Sequence, residues 1–289
     1  MKRRNFIKST VLGAGAVSLS PFPYHLYAGA EKKYPHDRVK LGSTGIEVSR
    51  MAMGTGTNGF GEESNQTRKL GIKGLSDLLR AAYDEGITFW DTADQYGSHP
   101  HVKEALKHVD REKVVILTKT NANTAEEAEE ALERFRTELG TDYFDIVLIH
   151  AATSPNWTTE KQGVKDVLAE AKENGIIKAH GVSCHSIAAL RAAAADPWVD
   201  LDLARFNPAG VAMDDEVDVV KEVLEGMHRD GKIIMGMKVL GQGRLLDRKE
   251  ECIQFHLAQE FISCFTIGVE GHDQLKDLQK VIPEASVRG

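Results

Sequence analysis

The sequence predicts an α/β fold over residues 31–289: a closed (β/α)8 barrel of the TIM type, with an N-terminal β-hairpin closing its bottom. Eight short apolar runs alternate with segments of helical periodicity, and the runs are apolar along their whole length, as strands buried on both faces are. Eight such units in about 250 residues match the size of a closed barrel. A doubly wound open sheet is the alternative, and against it is read the absence of a Gly-x-Gly-x-x-Gly string, the usual dinucleotide fingerprint, after the first run.

Residues 1–30 are read as a segment of their own. Lys2, Arg3, Arg4 and Lys8 precede an apolar run from Val11 diluted with Gly, Ala and Ser, and Ala28-Gly29-Ala30 offers a small-residue cleavage site. The stretch "RRNFIK" has the twin-arginine form, which implies export by the Tat translocase and a periplasmic location. A membrane anchor or a basic arm is the alternative, but the apolar run is far shorter than the ~20 residues a span needs. Removing this segment takes away four basic and no acidic side chains, so the formal charge moves from −7 to −11. Such a surface repels nucleic acid and anionic lipid, so neither is an expected partner. Cys184, Cys252 and Cys264 are an odd set for an exported chain; a Cys252–Cys264 bridge is one option, and a disulfide framework is not implied.

The elements follow in order. "VKLGSTGIEVSRM" reads as two short strands around Ser43-Thr44-Gly45, the hairpin across the N-terminal mouth. The eight strands are read at 50–56, 87–93, 114–120, 144–150, 177–183, 201–207, 232–240 and 261–269. The intervening helices are amphipathic. In "AEEAEEALERFRTELG", for example, Ala128, Leu132, Phe135 and Leu139 recur at helical spacing beneath a charged face, and Gly86, Gly140, Gly175 and Gly231 suit helix C-termini.

Catalytic groups of such barrels sit at the C-terminal ends of strands. Asp91 and Tyr96 lie at and just beyond the end of the second strand, Lys119 at the end of the third and His150 at the end of the fourth. A phenol, with its ordinary pKa near 10, donates a proton at neutral pH only where a neighbour makes its anion tolerable. A lysine ammonium does that, an aspartate holds the lysine charged, and a histidine can orient a carbonyl oxygen toward the phenol. Singly, each has a plainer reading as turn cap, packing group, snorkelling cation or core histidine; their joint placement at one mouth argues for chemistry. His99, His101 and His108 lack a metal-ligand partner set and read as a helix start and its exposed face, so no metal site is expected.

These stretches resemble the aldo-keto reductases: "KLGSTGIEVSRMAMGTG", "DTADQYG", "LTKT", "LIH" and "GVSCHS" together span much of the chain. The resemblance implies a nicotinamide dinucleotide at the C-terminal mouth, with Tyr96 as proton donor, Lys119 tuning it, Asp91 holding the lysine and His150 orienting the substrate. It also places Gly54 and Thr55, Ser183 and Cys184, Met237 and Lys238, and Leu240, Gly241, Gly243 and Arg244 of "LGQGRL" against the cofactor. The sequence departs from the family pattern at three of its cofactor contacts. Cys184 stands where the family usually has asparagine, Leu203 where it has glutamine, and Met237 where a stacking aromatic is common.

Beyond the last strand, Glu270 and Gln274 occupy places where family members often carry cations for a ribose 2′-phosphate. A carboxylate there repels the phosphate and accepts from a free 2′-hydroxyl, which favours NAD(H) over NADP(H). The chain carries no further helices after the eighth, so an open pocket is expected, built from 56–71 and 150–163, with Trp157 placed to stack on a sugar-like substrate. The expected substrate is a small polar carbonyl or its alcohol. Because Tat transport moves folded proteins, a retained cofactor cycled by paired substrates would reconcile export with redox chemistry. A binding or accessory barrel, or non-redox acid–base chemistry such as epimerisation or elimination, is the alternative.

Overall fold

The computed structural model describes residues 32–286; the export segment read at residues 1–30 lies outside them. The first two strands, β1 (Arg38–Lys40) and β2 (Glu47–Ser49), pair antiparallel in the register Arg38 to Ser49. Then come β3 (Met51–Gly54), α1 (Asn65–Asp84), β4 (Phe89–Asp91), α2 (His99–Leu106), β5 (Val115–Thr120), α3 (Ala125–Leu139), β6 (Phe144–Ala152) and the short α4 (Trp157–Glu160). The chain continues through α5 (Gln162–Glu173), β7 (Ile177–Cys184), α6 (Ile187–Ala195), β8 (Leu201–Arg205), α7 (Val217–Arg229), β9 (Ile233–Met237), α8 (Lys249–Leu257), β10 (Cys264–Gly268) and α9 (His272–Ser286). Strands β3 to β10 close into one parallel barrel in chain order, β10 returning to β3. The eight predicted strands are all present, six of them shortened, while β6 and β7 run past their predicted ends to Ala152 and Cys184.

Period-2 alternation sorts the strand side chains into two cores. Phe89, Leu117, Ile146, Leu148 and Leu203 fill the barrel interior, while Trp90, Ile116, Val147 and Ile149 face the helices. The hairpin closes the bottom because Leu41, Ile46 and Val48, all buried, join the interior cluster. The predicted stripe of α3 is buried at Ala128, Leu132, Phe135 and Leu139, and Gly140 ends that helix at φ 66°. Gly86, Gly175 and Gly231 likewise follow helix ends at positive φ. Ser64 and Thr67 form a reciprocal capping box on α1, an arrangement worth about 1 kcal/mol.

Two sequence readings need correction. Gly54, Gly56 and Gly59 do have the Gly-x-Gly-x-x-Gly spacing, but they make a β-turn closed by Gly59 N–H to Gly56 O at 2.9 Å, and α1 opens only at Asn65. Barrel closure, not missing glycines, is what rules out the open sheet. The three cysteines are free and buried, with Cys264 in the barrel interior and Cys252 in the outer layer, so the sheet lies between them.

Candidate active site

The four titratable groups read from strand ends do come together. Asp91 is the last residue of β4, Lys119 the penultimate residue of β5, and Tyr96 closes the 3₁₀ turn Asp94–Tyr96. Lys119 is 1% exposed; its ammonium forms an ion pair with Asp91 and donates to Thr92 O at 2.8 Å. It also lies 4.8 Å from the centroid of the Tyr96 ring, and the His150 ring meets Tyr96 edge-on at 5.5 Å between centroids.

Burial pushes the Tyr96 phenol up, and the nearby Lys119 ammonium pulls it back down without fully offsetting the shift. Burial works against the Lys119 charge, but Asp91 and Tyr96 outweigh it and hold the lysine above its ordinary value, so it stays an ammonium. His150 is pushed down to about 2 by burial, with Lys119, His185 and Lys238 adding to the effect. Its imidazole is therefore neutral, and Nδ1 has no hydrogen-bond partner among the described residues.

Local contacts explain the placement of each group. Thr55 donates from N and Oγ1 to Asp91 O, both at 3.0 Å, and a buried hydroxyl chain runs from Thr55 through Ser98 to Thr92. Asp94, in the same turn as Tyr96, is gripped by Arg134 of α3 through two hydrogen bonds of 2.7 and 2.8 Å. His150 sits at a bulge where β6 and β7 shift register between Ile149 and Ala152; Ala151 adopts φ 54° and donates its N–H to Ser183 Oγ at 2.8 Å. Bulges of this kind re-aim side chains next to active sites.

A cavity of about 480 Å³ runs from Asp91 and Tyr96 toward α9, within the usual range for small-molecule sites. Of the residues read as cofactor contacts, Gly54, Met237, Lys238, Leu240, Gly243, Glu270 and Gln274 line it. Glu270 faces this space rather than open solvent, accepts from Asn65 at 2.8 Å and pairs with Lys69. Burial raises its pKa, but these hydrogen bonds outweigh that and hold it below the usual carboxylate range. Lys238 has no ion-pair partner among the described residues; burial, helped by Lys119 and Arg205, lowers its pKa.

The remaining predicted contacts are placed otherwise. Thr55 is buried behind Asp91, and Ser183 holds the β6 bulge. Gly241 is buried in its turn, donating N–H to Lys238 O, while the Arg244 guanidinium turns back onto Gly241 O at 3.3 Å. Cys184 points outward from β7 because it follows the inward Ser183; its thiol contacts Asp202 at 3.4 Å, and burial raises its pKa well above the ordinary value. Trp157 is not a substrate platform in this structure: it is 2% exposed, donates Nε1–H to Ala189 O at 3.1 Å and packs edge-on against Trp198.

His99 and His101 are buried, contrary to the exposed-face reading, and only His108 is exposed. Asp94, His99 and Glu138 bring ligand atoms within 4.8 Å of one another, but Arg134 binds both carboxylates and His99 bridges Glu138 and Thr118 at 2.8 Å each. These groups satisfy one another without an ion.

Gly56, Thr57, Asn58 and Asn65, from the segment 56–71 that the sequence reading put in the pocket wall, do line the cavity, whereas no residue of 150–163 does. The reading missed Thr266, Ile267 and Gly268 at the end of β10. Asp277 and Leu278 lie one turn of α9 beyond Gln274, so helical spacing from Gln274 was the signal available for them.

Comparison with known proteins agrees with this fold. An aldo-keto reductase from Bacillus subtilis is 34% identical over 165 residues, which cover 51% of this chain and 46% of that protein. An NADH-specific methylglyoxal reductase from Escherichia coli is 29% identical over 207 residues, 62% of each chain. The matched segments thus span about half to three fifths of these two relatives. Among solved structures, an aldo-keto reductase of Pseudomonas aeruginosa superposes with a TM-score of 0.73 at 24% identity, covering 88% of this chain and 97% of that one, a likeness of fold. The model of the "Aldo/keto reductase family" matches residues 52–281, taking in the whole barrel except the first residue of β3. On that match the chain belongs to the aldo/keto reductase family.

Proposed function

We propose that this protein is an oxidoreductase that moves a hydride between a nicotinamide dinucleotide and a small polar carbonyl compound, with Tyr96 as the general acid. The observation that carries this reading is the buried Lys119 ammonium, held by Asp91 and Thr92 O and set beside the Tyr96 ring at the inner end of the cavity. The cavity suits the cofactor: Gly54 and Gly268 pair across its floor without side chains, Met237 and Ile267 offer apolar surface, and Lys238 lines it with no ion-pair partner among the described residues. When bound, the dinucleotide supplies the hydride.

The protein's own part is proton transfer and orientation. Tyr96 keeps its proton at neutral pH and delivers it to the carbonyl oxygen, while the Lys119 ammonium stabilises the phenolate left behind. His150, neutral at working pH, can donate one hydrogen bond to the same oxygen and hold it toward the phenol. Oxidation of the alcohol runs the same transfer in reverse.

Two E. coli relatives are named methylglyoxal reductases, which supports a small polar carbonyl as substrate; a sugar-like one is the wider form of this reading. Glu270 supports a preference for NAD(H), because a carboxylate at the wall near α9 opposes a 2′-phosphate. Export through the Tat route to the periplasm, with a retained cofactor, completes the proposal and rests on residues 1–30. Tyr96→Phe tests the chemistry: turnover of methylglyoxal with NADH should fall roughly a hundredfold or more, with NADH binding unchanged in a fluorescence titration. Retained turnover would refute Tyr96 as the acid. The native mass of exported protein, raised by one dinucleotide or not, decides whether cofactor is retained.

A further inference from the structure

Gly56 and Gly59 stand in a string with dinucleotide-fingerprint spacing, yet no helix begins there, and the question is why both are glycine. Backbone conformation is not the reason, since neither has a positive φ. Room is. A Cβ at Gly56 would fall within 3.0 Å of Cδ2, Cε2 and Cζ of Tyr96, and one at Gly59 within 3.0 Å of Cδ1 and Cε1. Between them the two glycines touch both edges of the phenol ring.

The same loop grips the chain on either side of Tyr96. Glu62 donates its N–H to Gln95 O at 3.0 Å, and Gly97, at φ 61°, lies so close to Glu62 O that no Cβ would fit there. The loop is braced in turn by Gln66, which accepts from Thr57 N–H at 3.0 Å and donates to Gly54 O at 3.1 Å.

We propose that the β-turn Gly56–Gly59 is a seat for the Tyr96 ring, and that these two glycines are positioning residues that set the phenol against Lys119 and His150. The inference rests on the reading of Tyr96 as general acid. The ring has Lys119 at 4.8 Å from its centroid and His150 edge-on at 5.5 Å, so a seat that moves the ring by a fraction of an ångström changes both relations. Misplacements of about 1 Å commonly lower turnover a hundredfold.

Gly59→Ala is the informative variant, because Gly59, unlike Gly56, does not line the cavity and its methyl would press on the ring and not on cofactor. The expected result is a fall in kcat of roughly ten- to a hundredfold, little change in NADH affinity, and a shifted pH profile for reduction as the phenol leaves its place beside Lys119. Unchanged kcat and pH profile would overturn the proposal. Thermal denaturation of Gly59→Ala, Tyr96→Ala and the double variant gives a reading independent of activity. If the ring is what excludes the methyl, the methyl lowers Tm in the wild-type background, or prevents folding there, and lowers it much less once the ring is gone. Equal losses in both backgrounds would overturn the seat. If Tyr96→Phe keeps its turnover, the general-acid reading fails, while this stability cycle still reports on the seat.

Discussion

The two ends of the cavity are built in different ways. At the barrel mouth, Asp91, Lys119 and Tyr96 come from strand ends or the turn just after one, with Lys119 1% exposed and the Asp91 side chain 6% exposed, locked by hydroxyls and backbone. At the α9 end, Glu270 is 18% exposed and its partner Lys69 59%, on helix and loop. Buried charges that lose a partner are left uncompensated, whereas exposed pairs are screened and contribute little. The mouth is therefore rigid in its chemistry, and the far end, where we propose that cofactor preference is set, can change at small cost to the fold.

Lys119→Met should break this contrast most strongly. It leaves Asp91 buried without its partner, so a stability loss of about 3–5 kcal/mol is expected by denaturant titration, with turnover falling by a factor on the order of a thousand. Combining it with Asp91→Asn should restore much of the stability but not the activity; recovery of both would show the ammonium to be structural only.

Glu270→Gln, at the other end, should leave kcat and Tm nearly unchanged and move the ratio of NADPH to NADH affinity by about tenfold, or ~1.4 kcal/mol, since Lys69 is then free to meet a phosphate. No change in the ratio would mean that Glu270 does not face the ribose.

A pH-dependent effect on stability, with none on the chemistry, is expected behind the mouth. Asp202, fully buried beside Cys184, is pushed from 3.8 up to about 7, mainly by burial. The folded state then binds the proton more tightly than the unfolded chain. That contribution to stability is present in full below the unfolded pKa of 3.8 and is lost as pH rises through about 7. Asp202→Asn should flatten the fall in Tm over this window; an unaltered slope would show that another group causes it.

Much of the site was legible because its signals are local. Asp91, Lys119 and His150 were found from strand periodicity and the rule that chemistry gathers at strand C-termini, and Tyr96 from its place just after one. Trp157 shows where such reasoning stops: a loop aromatic near the mouth looked available for stacking, but Ala189 O and Trp198, both distant in sequence, draw it inward. Cys184 shows a second limit. Its neighbour Ser183 faces the barrel, so one residue of phase turns the thiol toward Asp202 and away from the cofactor side.

By itself the sequence determined the barrel, its hairpin plug and the identity of the groups at the mouth, because apolar periodicity and strand order are properties of neighbouring residues. Only the tertiary structure decided that Glu270 meets Lys69 and Asn65 across some two hundred positions of chain. The same holds for Gly56 and Gly59, which are shaped around the ring of Tyr96. Those facts depend on which surfaces close packing brings together, and no local pattern carries that information.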